Sequence, residues 1–193
     1  MGVEFELKYR ASEKIQKTVI ERSQGPWLMI TMETTYYDTP DGALEKLHYT
    51  LRRRLENGVS VCTVKTPMPG IGRGEWEIQC NSITEAIPEL CKLGAPDNLL
   101  TLTAQGVQPV CGARFTRRAV QMRCGSSDVE LALDSGELFA GDKTQPLCEI
   151  EVELKNGSRD DAVLFANLLA SQYDLVQEKK SKFRRALDLR EEA

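Results

Sequence analysis

Charged side chains occupy every second position in several short stretches of the sequence. Carboxylates repeatedly stand two residues apart, as at Glu4 and Glu6, Glu75 and Glu77, and Glu149 and Glu151. Bases recur at the same spacing, as at Arg52 and Arg54. Carboxylate oxygens are the ligands that Mg²⁺ and Mn²⁺ prefer, whereas Arg and Lys bind phosphate. These residue types at this spacing could hold a hard cation beside a phosphorylated anion.

A spacing of two residues is the period of a β-strand, in which successive side chains point to opposite faces. The stretch VEFELKYR alternates Glu4, Glu6 and Lys8 with apolar residues. The same alternation recurs in TLRRRLE, VCTVK, RGEWEIQ, DVELALD and CEIEVELK. The sequence therefore predicts at least six strands that carry one apolar and one charged row.

Three other stretches carry helix signals. Ser82 stands three residues before Glu85, which is a capping box, and predicts a helix over 82–94. Ser158 begins a second predicted helix that runs to residue 173, and Ser12 caps a third over residues 11–23. The stretches YYDTPDGALEKL and PMPGIGRG have turn chemistry and are predicted connections. Because the strands come in neighbouring runs, an α+β fold with an antiparallel sheet is predicted.

The charged rows have two interpretations. In the first, they form the solvated face of an antiparallel sheet, and Arg and Lys on neighbouring strands neutralise the acids. In the second, the sheet closes into a barrel whose charged rows face a lumen and whose apolar rows are covered by helices. The second interpretation explains why like charges recur side by side, since a cation and a polyanion would bind there.

Composition limits the class of protein. The 193 residues fit one domain, predicted as residues 1–193, with 41% apolar and 28% charged residues. A net charge of −4 argues against non-specific nucleic-acid binding. Six cysteines without CxxC spacing and one histidine argue against a zinc site. No signal segment or long apolar run is evident, so a cytoplasmic location without membrane contact is predicted.

The order of motifs resembles the CYTH superfamily, the triphosphate tunnel metalloenzymes. The stretch EFELK matches the Glu-x-Glu-x-Lys opening of that family, and YYDTP, LRRR, TVK, EWE, TRR, ELALD, EIEVELK and SKFRR follow in the family's order. The resemblance implies an eight-stranded antiparallel β-barrel, a tunnel with a charged interior and helices packed outside. The chain is most similar to bacterial inorganic triphosphatase-like members. In that branch a histidine-rich second domain often follows, and with one histidine this sequence is expected to lack it.

The resemblance implies hydrolysis of a triphosphate, most simply inorganic triphosphate, with Mg²⁺ or Mn²⁺ as cofactor and a small-molecule substrate. The same scaffold also supports a class IV-type adenylyl cyclase and a thiamine triphosphatase. A polyphosphate- or nucleotide-binding module without turnover is a further alternative. The sequence does not choose the metal, the substrate or the oligomeric state.

The resemblance also assigns roles to residues. The expected metal ligands are Glu4, Glu6, Glu149 and Glu151. The expected triphosphate-binding bases lie on separate strands and are Lys8, Arg52, Arg54, Lys65, Arg117 and Lys182. Lys8, Glu6 and Glu77 are the expected catalytic residues, and Arg118 is expected to point outside. Secondary candidates are Arg73, Glu75, Glu130, Asp134, Glu153 and Arg185.

Overall fold

A computed structural model describes residues 2–23, 25–68 and 73–191, and the side chains of residues 5–23, 25–68 and 73–190. The strands are β1 (Gly2–Glu4), β2 (Glu6–Arg10), β3 (Leu28–Asp38), β4 (Thr50–Glu56), β5 (Val59–Pro67), β6 (Arg73–Gln79), β7 (Gln108–Cys124), β8 (Ser127–Ala140), β9 (Lys143–Asn156) and β10 (Val176–Gln177). The helices are α1 (Glu13–Arg22), α2 (Ala43–Lys46), α3 (Ile83–Lys92), α4 (Asn98–Leu102), α5 (Arg159–Tyr173) and α6 (Lys182–Glu191).

One antiparallel sheet contains every described strand, in the order β1-β6-β5-β4-β3-β7-β8-β9-β2-β10. Strands β1 and β2 are two halves of one N-terminal segment, separated only by Phe5. The first half pairs with β6 and the second half pairs with β9, so the N-terminal segment joins the two sides of the sheet. With β1 and β2 counted as one strand and the two-residue β10 left aside, the barrel-like tunnel has the eight strands that the family resemblance implies.

The apolar rows of the strands face outward and are covered by helices. Leu131 and Ile150, from β8 and β9, are buried in one cluster with Val19 of α1 and Ala166 of α5. On the other side, Trp76 and its strand neighbours pack against α3 and α4. Burying one Leu or Ile side chain contributes about 1.5–3 kcal/mol, so these outer layers hold the charged rows facing inward.

The three predicted helices are confirmed. Ser12, Ser82 and Ser158 each accept a hydrogen bond from a backbone N–H in the first turn of α1, α3 and α5. Those bonds satisfy donors that a helix N-terminus otherwise leaves without partners. Among the described residues, no helix combines the length and the apolar character that crossing a membrane requires.

Helix α6 differs from the other helices because it packs on the inner side of the sheet. Its residues Phe183 and Leu187 are buried in a cluster with Met32 and Tyr36 of β3 and with Phe115 of β7. Met32, Tyr36 and Phe115 lie on the strand faces that point into the tunnel. An apolar plug formed by α6 therefore fills part of the tunnel interior.

One predicted connection differs from the structure, and the other lies partly outside the described residues. In YYDTPDGALEKL the two tyrosines and Asp38 extend β3, and Ala43–Lys46 form α2, so only the middle of the stretch is a turn. Asp38 explains the boundary, because its carboxylate accepts hydrogen bonds from the backbone N–H groups of Thr39, Leu44 and Glu45. In PMPGIGRG, residues 69–72 lie outside the described residues.

Candidate active site

The tunnel encloses a cavity of about 530 Å³ whose wall is mostly charged. Among the described residues, nine cationic and seven anionic side chains line it, an excess of two positive charges. Strands β4 and β5 supply Arg52, Arg54 and Lys65, and β2 supplies Lys8 and Glu6. The cavity therefore favours an anion with a high charge density.

All six bases that the sequence assigned to phosphate binding are nearly buried. The exposed fractions of the side chains of Lys8, Arg52, Arg54, Lys65, Arg117 and Lys182 lie between 11% and 15%. Surface lysines and arginines extend into water, because burying a charge costs free energy unless it is paired. The solvated-face interpretation is therefore wrong for these rows, and the lumen interpretation is confirmed.

Arg52 and Arg54 keep donor groups that no described residue satisfies. The Nε atoms of both side chains are buried and have no hydrogen-bond acceptor within the described part of the chain. Burial lowers the pKa of Arg54, and the neighbouring charges of Arg52 and Arg117 lower it further. Two buried guanidinium groups with free donors form a site that an anion would complete.

A row of carboxylates lies next to these bases. Glu6 on β2 is paired in register with Glu153 on β9, and Glu153 is paired in register with Glu130 on β8. All three side chains line the cavity. Like charges opposite each other in a sheet are destabilising, and here Lys155 contacts Glu153 at 2.8 Å and Glu130 at 3.7 Å. The oxygen ligands of this row fit a hard cation such as Mg²⁺ or Mn²⁺.

A second acidic group lies deeper and does not fit a metal in the same way. Carboxylate oxygens of Asp134, Glu149 and Glu151 lie within 4.8 Å of one another. The Lys182 Nζ atom stands between them, at 2.8 Å from Asp134, 2.6 Å from Glu149 and 2.6 Å from Glu151. An ammonium group therefore already takes the position that a cation would take.

Two arginines complete this buried cluster. Arg117 donates to both oxygens of Asp134 at 2.8 Å and also contacts Glu151. Arg185 contacts Glu149. Burial alone would raise the pKa of Glu151, but the charges of Lys182, Arg117 and Lys8 hold that pKa well below its usual range.

The predicted site residues divide between these two places. Those that line the cavity are Glu6, Lys8, Arg52, Arg54, Lys65, Arg73, Glu75, Glu77, Arg117, Glu130, Glu151, Glu153 and Lys182. Asp134, Glu149 and Arg185 belong to the deeper cluster. The side chain of Glu4 lies outside the described residues, although its backbone continues β1 beside Arg73. Arg118 lines an outer groove beside α1, as expected.

Comparison with known proteins agrees with this geometry. The CYTH domain profile matches residues 2–187. The chain belongs to the CYTH domain family. An inorganic triphosphatase from Haemophilus influenzae is 29% identical over 195 residues, which cover 94% of this chain and 53% of the relative. The chain thus spans about half the length of that relative.

Solved structures share the CYTH fold. A protein from Pyrococcus horikoshii OT3, PH1819, is 22% identical, with a TM-score of 0.65 and coverage of 96% of this chain and 98% of its own. A putative adenylyl cyclase from Hippeastrum, HpAC1, is 19% identical, with a TM-score of 0.61 and coverage of 95% and 94%. At these identities the likeness establishes the fold.

One predicted position in the CYTH domain is wrong. Lys182 was expected on a strand, but it is the first residue of α6 and reaches the cavity from that helix. The stretch SKFRR carries no alternation, and the apolar residues that follow it are too few to indicate which side of the sheet the helix covers. The position of Lys182 therefore follows from the packing of α6 against β3 and β7.

Sequence reasoning missed several residues of the cavity wall. Glu56 and Lys155 continue the charged rows of β4 and β9, so the two-residue spacing was a signal for both. No such signal marked the apolar part of the wall, which consists of Ile30, Met32, Tyr36, Phe115 and Phe183. These residues resemble ordinary core residues in the sequence, and only the inward position of α6 places them beside the cavity.

Proposed function

We propose that this CYTH domain hydrolyses a triphosphate, most simply inorganic triphosphate, with the help of a divalent cation. The observation that carries the proposal is the pair of buried arginines, Arg52 and Arg54, whose Nε donors have no acceptor in the described residues. The matching relative from Haemophilus influenzae is named an inorganic triphosphatase, which supports the same substrate. The excess of positive charge in the cavity wall suits a polyanion.

The geometry suggests a division of roles. Lys8, Arg52, Arg54 and Lys65 bind the phosphate oxygens, because they line the cavity as nearly buried cations. Their positive charge stabilises the negative charge that develops on the leaving group, which is the main contribution of protein side chains to phosphoryl transfer.

The acids take the other part of the reaction. Glu6 and Glu153, which face each other on β2 and β9, would hold the cation, with Glu130 beside them. A cation bound there supplies charge neutralisation at the phosphoryl oxygens. Glu77 is exposed and also lines the cavity, so it can orient water and accept its proton. Water then attacks the terminal phosphorus, the phosphoanhydride bond breaks, and orthophosphate and pyrophosphate leave.

A product-resolved assay tests the proposal. The purified chain is given inorganic triphosphate, thiamine triphosphate and ATP in parallel, each with Mg²⁺ and with Mn²⁺. Release of orthophosphate from inorganic triphosphate is expected. Cyclic AMP with pyrophosphate would instead identify an adenylyl cyclase, and tight binding without any release of phosphate would identify a binding module.

The same assay tests the predicted organisation of the protein. We propose that residues 1–193 act as a single domain, with a small-molecule substrate and without nucleic acid or membrane as partner. Turnover by the isolated chain is the expected result. A cytoplasmic location stays a prediction from the sequence.

A further inference from the structure

Three buried carboxylates surround one ammonium group at the deep side of the tunnel. Asp134 and Glu149 are completely buried, and the side chain of Glu151 is 7% exposed. Each of the three places one oxygen within 2.8 Å of the Lys182 Nζ atom. The contact with Glu151 is also a hydrogen bond, whereas Asp134 and Glu149 meet the ammonium group at ion-pair distance and neither oxygen of Glu149 has a hydrogen-bond partner among the described residues.

The charges of the cluster balance. Three carboxylates face three cations, namely Lys182, Arg117 and Arg185. A divalent cation added to this cluster would lie next to three positive charges on nearly buried side chains, where repulsion is screened less than in water. The cluster therefore lacks the excess negative charge that a metal site needs, and Lys182 Nζ lies where the metal would lie.

The segment before α6 is fixed in the same way. Glu178 is buried and contacts Arg10 of β2 at 2.7 Å and Arg185 of α6 at 3.5 Å. Its other oxygen accepts a hydrogen bond from the backbone N–H of Lys180 at 2.9 Å. The chain thus enters α6 in one position, with Lys182 directed into the three carboxylates.

We infer that Asp134, Glu149 and Glu151 form the binding site of the Lys182 ammonium group, which we call the seat. This internal cation excludes a divalent metal from the seat and holds α6 in the tunnel. Two of the metal ligands expected from the sequence, Glu149 and Glu151, are then reassigned to Lys182. The consequence of this inference for the reaction rests on the proposed function. Lys182 and Arg117 neutralise carboxylates, and phosphate binding falls to Lys8, Arg52, Arg54 and Lys65.

A crystal structure of the unmodified protein grown with Mn²⁺ tests the inference directly, because the anomalous signal of manganese distinguishes the metal from nitrogen. We expect Lys182 Nζ between the three carboxylates, and no manganese there, whether or not manganese binds near Glu6 and Glu153. Manganese between Asp134, Glu149 and Glu151 would overturn the inference. A structure in which Lys182 Nζ no longer lies between the three carboxylates would also overturn it.

A variant tests the same point in solution. Lys182→Met replaces the side chain by an uncharged one of similar shape that lacks the ammonium group, and leaves three carboxylates with two guanidinium groups. We expect this variant to bind one Mn²⁺ more than the wild-type protein in a calorimetric titration, and its melting temperature to rise more on addition of Mn²⁺. Lys180→Met is the matched control, because it removes an exposed lysine from the same segment that contacts Asp188 instead.

The two results separate this inference from the proposed function. An unchanged number of Mn²⁺ ions in Lys182→Met, with a thermal response like that of Lys180→Met, contradicts the seat. If Lys182→Met does not fold, the crystal structure of the unmodified protein with Mn²⁺ still shows whether Lys182 or manganese lies between the three carboxylates. Neither measurement depends on turnover, so a chain that hydrolyses no triphosphate can confirm the seat, and an active one can refute it.

Discussion

Replacement of Arg54 by Met should separate binding from stability. Arg54 lies on β4 with its side chain in the tunnel, 15% exposed, and its buried Nε atom has no acceptor in the described residues. Burial lowers its pKa, and the charges of Arg52 and Arg117 lower it further. A lowered pKa of a base means that the folded protein disfavours the charge relative to the unfolded chain, so Arg54 costs folding free energy at neutral pH.

The size of each effect follows from the contacts. Arg54 has one ion pair, with the partly exposed Glu56 at 3.1 Å, and such a pair contributes about 0.2–1 kcal/mol. Loss of this pair is offset by relief of the repulsion from Arg52 and Arg117, and Met keeps the apolar stem of the side chain. We therefore expect the free energy of unfolding of the free protein to stay within about 1 kcal/mol of wild type. A hydrogen bond to a charged group contributes about 1.5–3 kcal/mol, so kcat/KM should fall roughly 10- to 100-fold.

The assay combines urea unfolding without substrate and initial rates of orthophosphate release from inorganic triphosphate. Arg53→Met is the matched control, because Arg53 is the neighbour on β4 and donates to the Ser60 hydroxyl at 2.9 Å instead of lining the cavity. The control should keep kcat/KM near the wild-type value. An Arg54→Met protein that loses several kcal/mol of stability but keeps wild-type kcat/KM would show that Arg54 is a structural residue.

Three further predictions follow from the same contacts. Glu6→Gln should remove nearly all turnover and keep the circular dichroism spectrum, because it neutralises a proposed cation ligand; wild-type rates in a folded variant would exclude Glu6. Glu151 contributes stability at neutral pH because its folded-state pKa is lowered, and this stability should be lost as the pH falls below about 4.5 towards that lowered pKa. Urea midpoints between pH 7 and pH 3 measure the loss. An equal loss of stability in acid for Glu151→Gln would contradict this prediction. Gln16→Leu should lower the free energy of unfolding in urea by about 2–4 kcal/mol, since the buried Gln16 amide donates to the backbone carbonyls of Asp134 and Glu149 at 2.9 and 2.8 Å. A decrease below about 0.5 kcal/mol would be inconsistent with those hydrogen bonds.

The strands of the tunnel were predictable because their signal is local. Alternation of charged and apolar residues indicates both the strand and its two faces, and the apolar faces of β4, β6, β8 and β9 pack outward as predicted. The repetition of charged rows favoured a lumen, because no single solvated sheet needs like charges side by side. The capped helices were equally accessible, since a cap such as Ser82 with Glu85 acts within one turn.

The C-terminal part of the site was not predictable in this way. The row of Glu149, Glu151 and Glu153 looks uniform in sequence, yet Glu153 faces Glu6 in the cavity while Glu149 is buried against Lys182 and Arg185. The difference arises because α6 covers one end of the row from the inner side of the sheet. Nothing local in SKFRR indicates that position.

The sequence by itself thus determined the strands, their faces and the kind of ions they attract, because these depend on residue type and on a spacing of two. Tertiary structure alone decided which acids and bases neutralise each other and which keep free groups for a ligand. That outcome depends on distances between side chains far apart in the chain, such as Lys182 and Asp134 at 2.8 Å. Only the folded arrangement of α6 against β7, β8 and β9 sets those distances.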